Sequence, residues 1–214
     1  MIRQFSAVAL SMMSAAAFAT ATLDPDTNIL TFNVESGEET YSTALGPTVA
    51  GIVKTGAGTI VLDTASTSFT GGKPVTVSGG ILKITHKDAL GSGNTVTVAG
   101  TATFSMMFAA ESNKGGEKND IVLQQDAKLQ VGGAETGDYF IGNVTLAGDA
   151  TIDVQTRRGF GKTLDLAGYT LTRIGNNVEF MFAGNGTAGT TAVVKGPGKI
   201  LNSVGSTISL MGAP

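Results

Sequence analysis

The 214-residue chain is 42% hydrophobic and only 14% charged, which argues against disorder and leaves enough apolar mass for one sizeable core. Its formal net charge is −3 and Arg157–Arg158 is its only adjacent basic pair, so it has no basic patch for neutralising phosphates and no nucleic-acid partner is expected. It lacks cysteine, which excludes disulfides and thiolate metal sites, and its 30 glycines against 5 prolines, with abundant Thr and Val, point to β-branched strands joined by tight corners.

Arg3 precedes an apolar run from Phe5 to Phe18 that closes on Ala17, Phe18 and Ala19, the small-x-small pattern that signal peptidase accepts. Residues 1–19 are therefore expected to be a secretory signal peptide, cleaved near Ala19. A membrane anchor is the weaker reading: the run falls short of the roughly 20 residues that cross a bilayer, and no later segment comes close. No transmembrane segment is expected. Residues 20–50 lack clean alternation and are assigned to an N-terminal cap or first irregular coil. Within them Asp24, Asp26 and Asn28 have the alternate spacing that opens an EF-hand loop. Neither the turn glycine nor the closing glutamate follows, and acidic N-cap chemistry or a flexible terminus explains the spacing equally well.

From residue 51 to 214 one degenerate pattern recurs, an alternating strand that runs into a glycine or small polar corner and then resumes alternation. It appears at Val75–Leu82, Val96–Phe104, Ile121–Leu129, Val144–Ile152 and Leu164–Leu171. Corners at 58, 80, 100, 125, 148 and 168 are 22, 20, 25, 23 and 20 residues apart. At about 3.3 Å per residue, such an interval supplies three short strands and their bends, enough for one coil that can hydrogen-bond to the next about 4.8 Å away. With degenerate coils around Ile29–Tyr41 and Val193–Leu210, the expectation is an all-β, single-stranded parallel β-helix of roughly eight coils.

Period 2 points Val75, Val77, Val96, Val98, Leu123, Leu129, Val144, Leu146, Ile152, Leu164 and Leu166 inward, with the intervening Thr, Asp and Lys outward. Each coil buries little alone, so the stacked aliphatic column is expected to dominate stability at about 25 cal/mol per Å². Residues 105–120, rich in Gly, Lys, Asn and Glu, read as a loop leaving the rod, and Thr85–Gly93 reads as a shorter loop or helical turn.

The run Val53-Lys54-Thr55-Gly56-Ala57-Gly58-Thr59-Ile60-Val61-Leu62, followed by Phe69-Thr70-Gly71-Gly72, by Val75–Ile84 and by Ala89-Leu90-Gly91-Ser92-Gly93, resembles the autotransporter-associated β-strand repeat of bacterial passenger domains. Residues 148–153 and 164–172 look like relatives of it, and Lys195-Gly196-Pro197-Gly198 resembles a worn second copy of the Lys54–Gly58 corner. Phe69 stands where the family more often has Tyr, and Lys73 where Thr is common. The resemblance implies a right-handed parallel β-helix exported to the outer surface, usually without catalysis of its own. The residues up to Pro214 include no run of amphipathic membrane strands like that of the autotransporter barrel. The expectation is a free secreted relative or the front piece of a longer protein.

Candidate chemistry is sparse. His86, the only histidine, sits beside Lys87 and Asp88 without a nucleophile or ligand signature and is read as a solvated surface residue. Aligned repeats stack Asp126 over Asp149, which a Ca²⁺ ion would bridge only with more oxygens than Gln125 and Thr151 supply, Tyr169 taking the third equivalent place. Ordinary solvated carboxylates are favoured. Asp149, Asp153, Arg157 and Arg158 are the set from which a polysaccharide lyase or hydrolase groove would have to be built. Met106, Met107 and Phe108 form either an exposed sticky tip or a cluster folded back on the rod, and Asn176 and Asn177 suit an asparagine stack at a corner. No catalytic, cofactor-binding or metal residue is assigned. The expected function is a secreted or surface-exposed, non-enzymatic scaffold, with adhesion to a surface or glycan ligand as one role open to it; the alternative is a carbohydrate-binding or polysaccharide-active β-helix. An open C-terminal coil ending at Gly212-Ala213-Pro214 is expected to favour self-association.

Overall fold

The computed structural model describes residues 20–108, 118–133, 140–156, 158–182, 192–205 and 207–210. The expected signal peptide, Arg157 and residues 109–117 lie outside them. Strand β1 (Thr20–Leu23) precedes a first coil of β2 (Ile29–Asn33) and β3 (Glu38–Tyr41). The two-strand coil repeats as β4 (Gly51–Thr55) with β5 (Thr59–Leu62), β6 (Pro74–Val77) with β7 (Ile81–Ile84), β8 (Thr95–Val98) with β9 (Thr103–Phe108), and β10 (Asp120–Leu123) with β11 (Lys128–Gly133). Later coils carry a third strand: β12 (Phe140–Ile141), β13 (Val144–Leu146) and β14 (Ala150–Val154), then β15 (Arg158–Phe160), β16 (Thr163–Asp165) and β17 (Thr170–Gly175). The last are β18 (Phe180–Phe182), β19 (Val193–Lys195), β20 (Lys199–Asn202) and β21 (Ile208–Leu210).

These strands stack into sheets of nine (β1-β2-β4-β6-β8-β10-β13-β16-β19), eight (β20-β17-β14-β11-β9-β7-β5-β3) and four strands (β12-β15-β18-β21). β1 pairs antiparallel with β2; the pairings from coil to coil are parallel, as expected of a parallel β-helix. Between β2 and β19 the first sheet makes seven parallel pairings, slightly fewer completed turns than the roughly eight coils inferred from spacing.

Registered pairing turns the sequence alternation into rows. Val75, Val96, Ile121, Val144 and Leu164 form one inward row and Val77, Val98, Leu123 and Leu146 the next. From the second sheet Leu82, Phe104, Leu129 and Ile152 face them. Every residue assigned inward by period 2 is buried, Leu166 being the most accessible at 5%. At about 1.5–3 kcal/mol per buried aliphatic side chain, this column is the main favourable term. The corners between strands are tight enough to need glycine: a Cβ on Gly80 (φ +59) would lie 2.2 Å from the Gly58 carbonyl oxygen, and one on Gly91 (φ +60) 1.8 Å from that of Phe69.

One expected loop differs and the other is met. The 105–120 loop is shorter, because β9 runs on to Phe108 and β10 starts at Asp120. Phe104, Met106 and Phe108 continue the inward alternation, pairing with Leu129, Val131 and Gly133. Met106 and Phe108 are each 3% exposed, so the cluster lies in the rod wall and is not an exposed tip. The segment after β7 is a turn, closed by Ala89 N–H to the His86 carbonyl and Gly91 N–H to that of Asp88, both at 3.0 Å.

Candidate functional site

The least expected groups are two cations that point into the rod. Lys54 occupies an inward position of β4, between Phe32 and Val77, and is fully buried. Its ammonium donates to the carbonyls of Thr55, Gly56 (2.9 Å) and Gly79 (3.2 Å), stapling two successive corners. Burial pushes its pKa below the ordinary lysine value, and the Glu35 carboxylate opposes that shift. Arg173 takes the inward place after Ile152 in β17, also fully buried, and its guanidinium donates to Asn202 Oδ1 (2.9 Å) and to the carbonyls of Asn176 and Val178. Burial lowers its pKa as well. Both act as structural clamps on main-chain oxygens.

A second feature is an asparagine ladder at the corner before the first sheet. Asn119 Oδ1 accepts the Asn94 N–H at 2.8 Å, and Asn94 Oδ1 accepts that of Lys73 at 2.9 Å. The Asn94 amide nitrogen donates to the Phe69 and Leu90 carbonyls at 2.8 and 2.9 Å. This stacking was expected at Asn176 and Asn177, which are instead exposed; Asn176 donates to the Gln155 carbonyl at 2.7 Å. A legible signal existed, since Asn94 and Asn119 each immediately precede a strand of the first sheet.

The other candidates also hold structure. His86 is half-buried, its Nδ1 accepting the Asp88 N–H at 3.0 Å. Asp126 and Asp149 do stack, as the β11–β14 register requires. Asp149 Oδ1 accepts the Thr170 N–H at 2.7 Å, and Asp126 Oδ1 accepts Gln125 Nε2 at 2.9 Å. Asp24 holds the β1–β2 turn by accepting the N–H groups of Asp26 (2.8 Å) and Thr27 (3.3 Å), which lowers its pKa, and Asn28 sits at φ +54 in the same turn. Asp153 is 8% exposed and accepts from Gln130 Nε2 (3.1 Å) and Gln155 Nε2, while Ser105 donates to Gln130 at 2.7 Å. Of the lyase-type set, Asp149 lies at a corner and Asp153 under amides, while Arg157 and the Arg158 side chain lie outside what the structure describes. Among the described residues no group of three or more His, Asp or Glu could hold a metal, and no helix is long and apolar enough to cross a membrane.

A groove of about 420 Å³ crosses the outward face of the first sheet, lined by Thr95, Asp120, Asn143, Thr145, Thr163 and Lys195. Asn143 Nδ2 donates to Asp120 Oδ1 at 2.8 Å, Asn143 Oδ1 accepts the Thr163 N–H at 3.3 Å, and Lys195 pairs with Asp165 at 3.1 Å. Hydroxyl, amide and carboxylate groups thus repeat from coil to coil on one face. No family model, curated protein or solved structure matches the chain.

Proposed function

We propose that the chain is a non-enzymatic scaffold of autotransporter passenger type, secreted or displayed on the outer cell surface. The observation that carries this reading is the in-register stacking from β2 to β19, which presents repeated polar rows outward over one continuous apolar column. The carboxylates of Asp120, Asp149 and Asp153 are engaged in corner and ladder hydrogen bonds. The absence of cysteine suits an exported rod that relies on packing alone. The test is expression of the full chain in a Gram-negative host, with N-terminal sequencing and protease shaving of intact cells. The expected result is a new terminus at Thr20 and material that is in the medium or sensitive to shaving; protein kept in the cytoplasm with Met1 intact would overturn it.

The groove favours carbohydrate binding as the second reading, because side-by-side amide, carboxylate and hydroxyl groups suit sugar hydroxyls. Glycan-array binding lost in Asn143→Ala would support it. Turnover of polyuronides or xylans in a reducing-sugar assay, abolished by Arg157→Ala, would displace the non-enzymatic reading.

A further inference from the structure

The groove on the first sheet runs across the strands, along the axis of the rod, and two outward rows meet in it. In one, Thr95 and Asp120 are register partners and the Asn143 and Thr163 hydrogen bonds carry the row onward. In the other, Val122 and Thr145 are partners, and the row goes on through Asp165 to Lys195. From the strand of Thr95 to that of Lys195 there are four rung steps, about 19 Å at about 4.8 Å each. Among the described residues the hydroxyls of Thr95, Thr145 and Thr163 make no hydrogen bond, and the second carboxylate oxygen of Asp120 accepts none. The half-buried Val122 side chain supplies an apolar patch of floor. Charge narrows the ligand. Lys195 is neutralised by Asp165 at 3.1 Å, whereas Asp120 meets no cation among the described residues, so an anionic ligand would face a net negative wall. β10, β13 and β16 are each hydrogen-bonded to a neighbour on both sides, which leaves no main-chain edge in the groove for an added peptide strand.

We propose that the groove holds a neutral glycan in extended form, its chain laid along the rod axis with about one sugar to each rung. This deepens the carbohydrate-binding reading of the groove and rests on it. In-register stacking presents a fresh polar group at every step of about 4.8 Å, and an extended β-linked hexose chain advances by nearly that step per sugar. Sugar hydroxyls then meet Thr95, Asp120 and Thr163 in turn along one row and Thr145 in the other, while the C–H face of a ring passes over Val122. The volume of about 420 Å³ falls within the range of about 300–1,000 Å³ that ligand clefts occupy. No aromatic ring lines the groove among the described residues, so each sugar contributes little and affinity has to accumulate along the chain.

The test is titration calorimetry of the full chain in about 0.1 M salt, with β-linked oligomers of glucose and of N-acetylglucosamine from disaccharide to hexasaccharide, beside oligogalacturonides of the same lengths. In one neutral series affinity should rise with each sugar up to the pentasaccharide and then level off, with the oligogalacturonides bound more weakly. Thr145→Ala and Thr163→Ala remove hydroxyls that hold no other part of the chain, so both should keep the parent's circular dichroism and weaken the pentasaccharide by about two- to tenfold. Asp120→Asn keeps an acceptor for Asn143 and should narrow the preference for the neutral series. Equal affinity for disaccharide and hexasaccharide overturns the axial placement, and tighter binding of the oligogalacturonides overturns the neutral ligand; in either case weaker binding by Thr163→Ala leaves the broader carbohydrate reading standing. Binding that neither threonine variant changes overturns the proposal, and so does the absence of heat with every series. Glycan-array binding abolished by Asn143→Ala would then preserve the broader reading, whereas a silent array removes both.

Discussion

Replacing Gly80 by alanine tests whether the corners, as distinct from the column, are close-packed. Gly80 and Gly100 have nearly the same left-handed backbone, φ +59 and +54, but a Cβ on Gly100 meets nothing within 4 Å. A left-handed conformation costs an L side chain about 1–2 kcal/mol, offset by about 0.4–1 kcal/mol from the reduced freedom of the unfolded chain. Gly100→Ala should therefore cost about 1 kcal/mol or less. At Gly80 the added carbon would lie 2.2 Å from the Gly58 oxygen, 2.5 Å from that of Gly56 and 2.8 Å from the Ala57 carbonyl carbon. These are main-chain atoms with no rotamer to yield, and the Gly58 carbonyl accepts the Ile81 N–H at 3.1 Å. Overpacking adds about 1–3 kcal/mol, for a total near 2–4 kcal/mol. Urea unfolding of both variants beside the parent measures the difference. Equal midpoints for Gly80→Ala and Gly100→Ala would refute close packing at the corners.

Leu123→Ala should cost about 2–5 kcal/mol, and Leu123→Met less than about 1.5 kcal/mol, because Leu123 is fully buried in the middle of an inward row; denaturant midpoints separate them. Lys54→Met should cost about 1–2 kcal/mol at neutral pH, since the Gly56 and Gly79 carbonyls lose their Lys54 donor. Because burial lowers the folded-state pKa of Lys54 below the unfolded value, the unfolded chain binds the proton more tightly there, and the parent gains stability as pH rises through the folded value towards 10.5. The deficit of the methionine variant should widen over that window, and unfolding curves at neutral and alkaline pH read it. Asp149→Ala should lose about 1 kcal/mol through the Thr170 N–H, equally with and without Ca²⁺; a Ca²⁺ binding heat in titration calorimetry that the substitution removes would contradict that role.

The inward aliphatic residues were legible because a parallel sheet converts period 2 directly into burial, and corner spacings of 20 to 25 residues located each new rung. The third sheet was not, since β12, β15 and β18 are only two or three residues long, too short to show a period. Its in-register positions, Ile141, Phe160 and Phe182, are unevenly spaced by 19 and 22 residues, and the Phe160 and Phe182 rings stack at 5.4 Å. Arg173 was hidden for a different reason. Alternation assigns a charged side chain outward by its polarity, and only the Ile152–Arg173 register shows that this one continues an inward row.

The two lysine corners show how little sequence separates the outcomes. Lys54-Thr55-Gly56 and Lys195-Gly196 place one residue and none, respectively, between lysine and the left-handed glycine, with φ +73 at Gly56 and +80 at Gly196. A step of one residue along a strand exchanges its faces. Lys54 accordingly lies in the inward row with Phe32 and Val77, whereas Lys195 pairs in register with Asp165 on the outward face and forms an ion pair with it. The resemblance between the two corners survives in the turn but not in the side chain. The same motif is a buried clamp on main-chain oxygens in β4 and an exposed, ion-paired positive charge in β19.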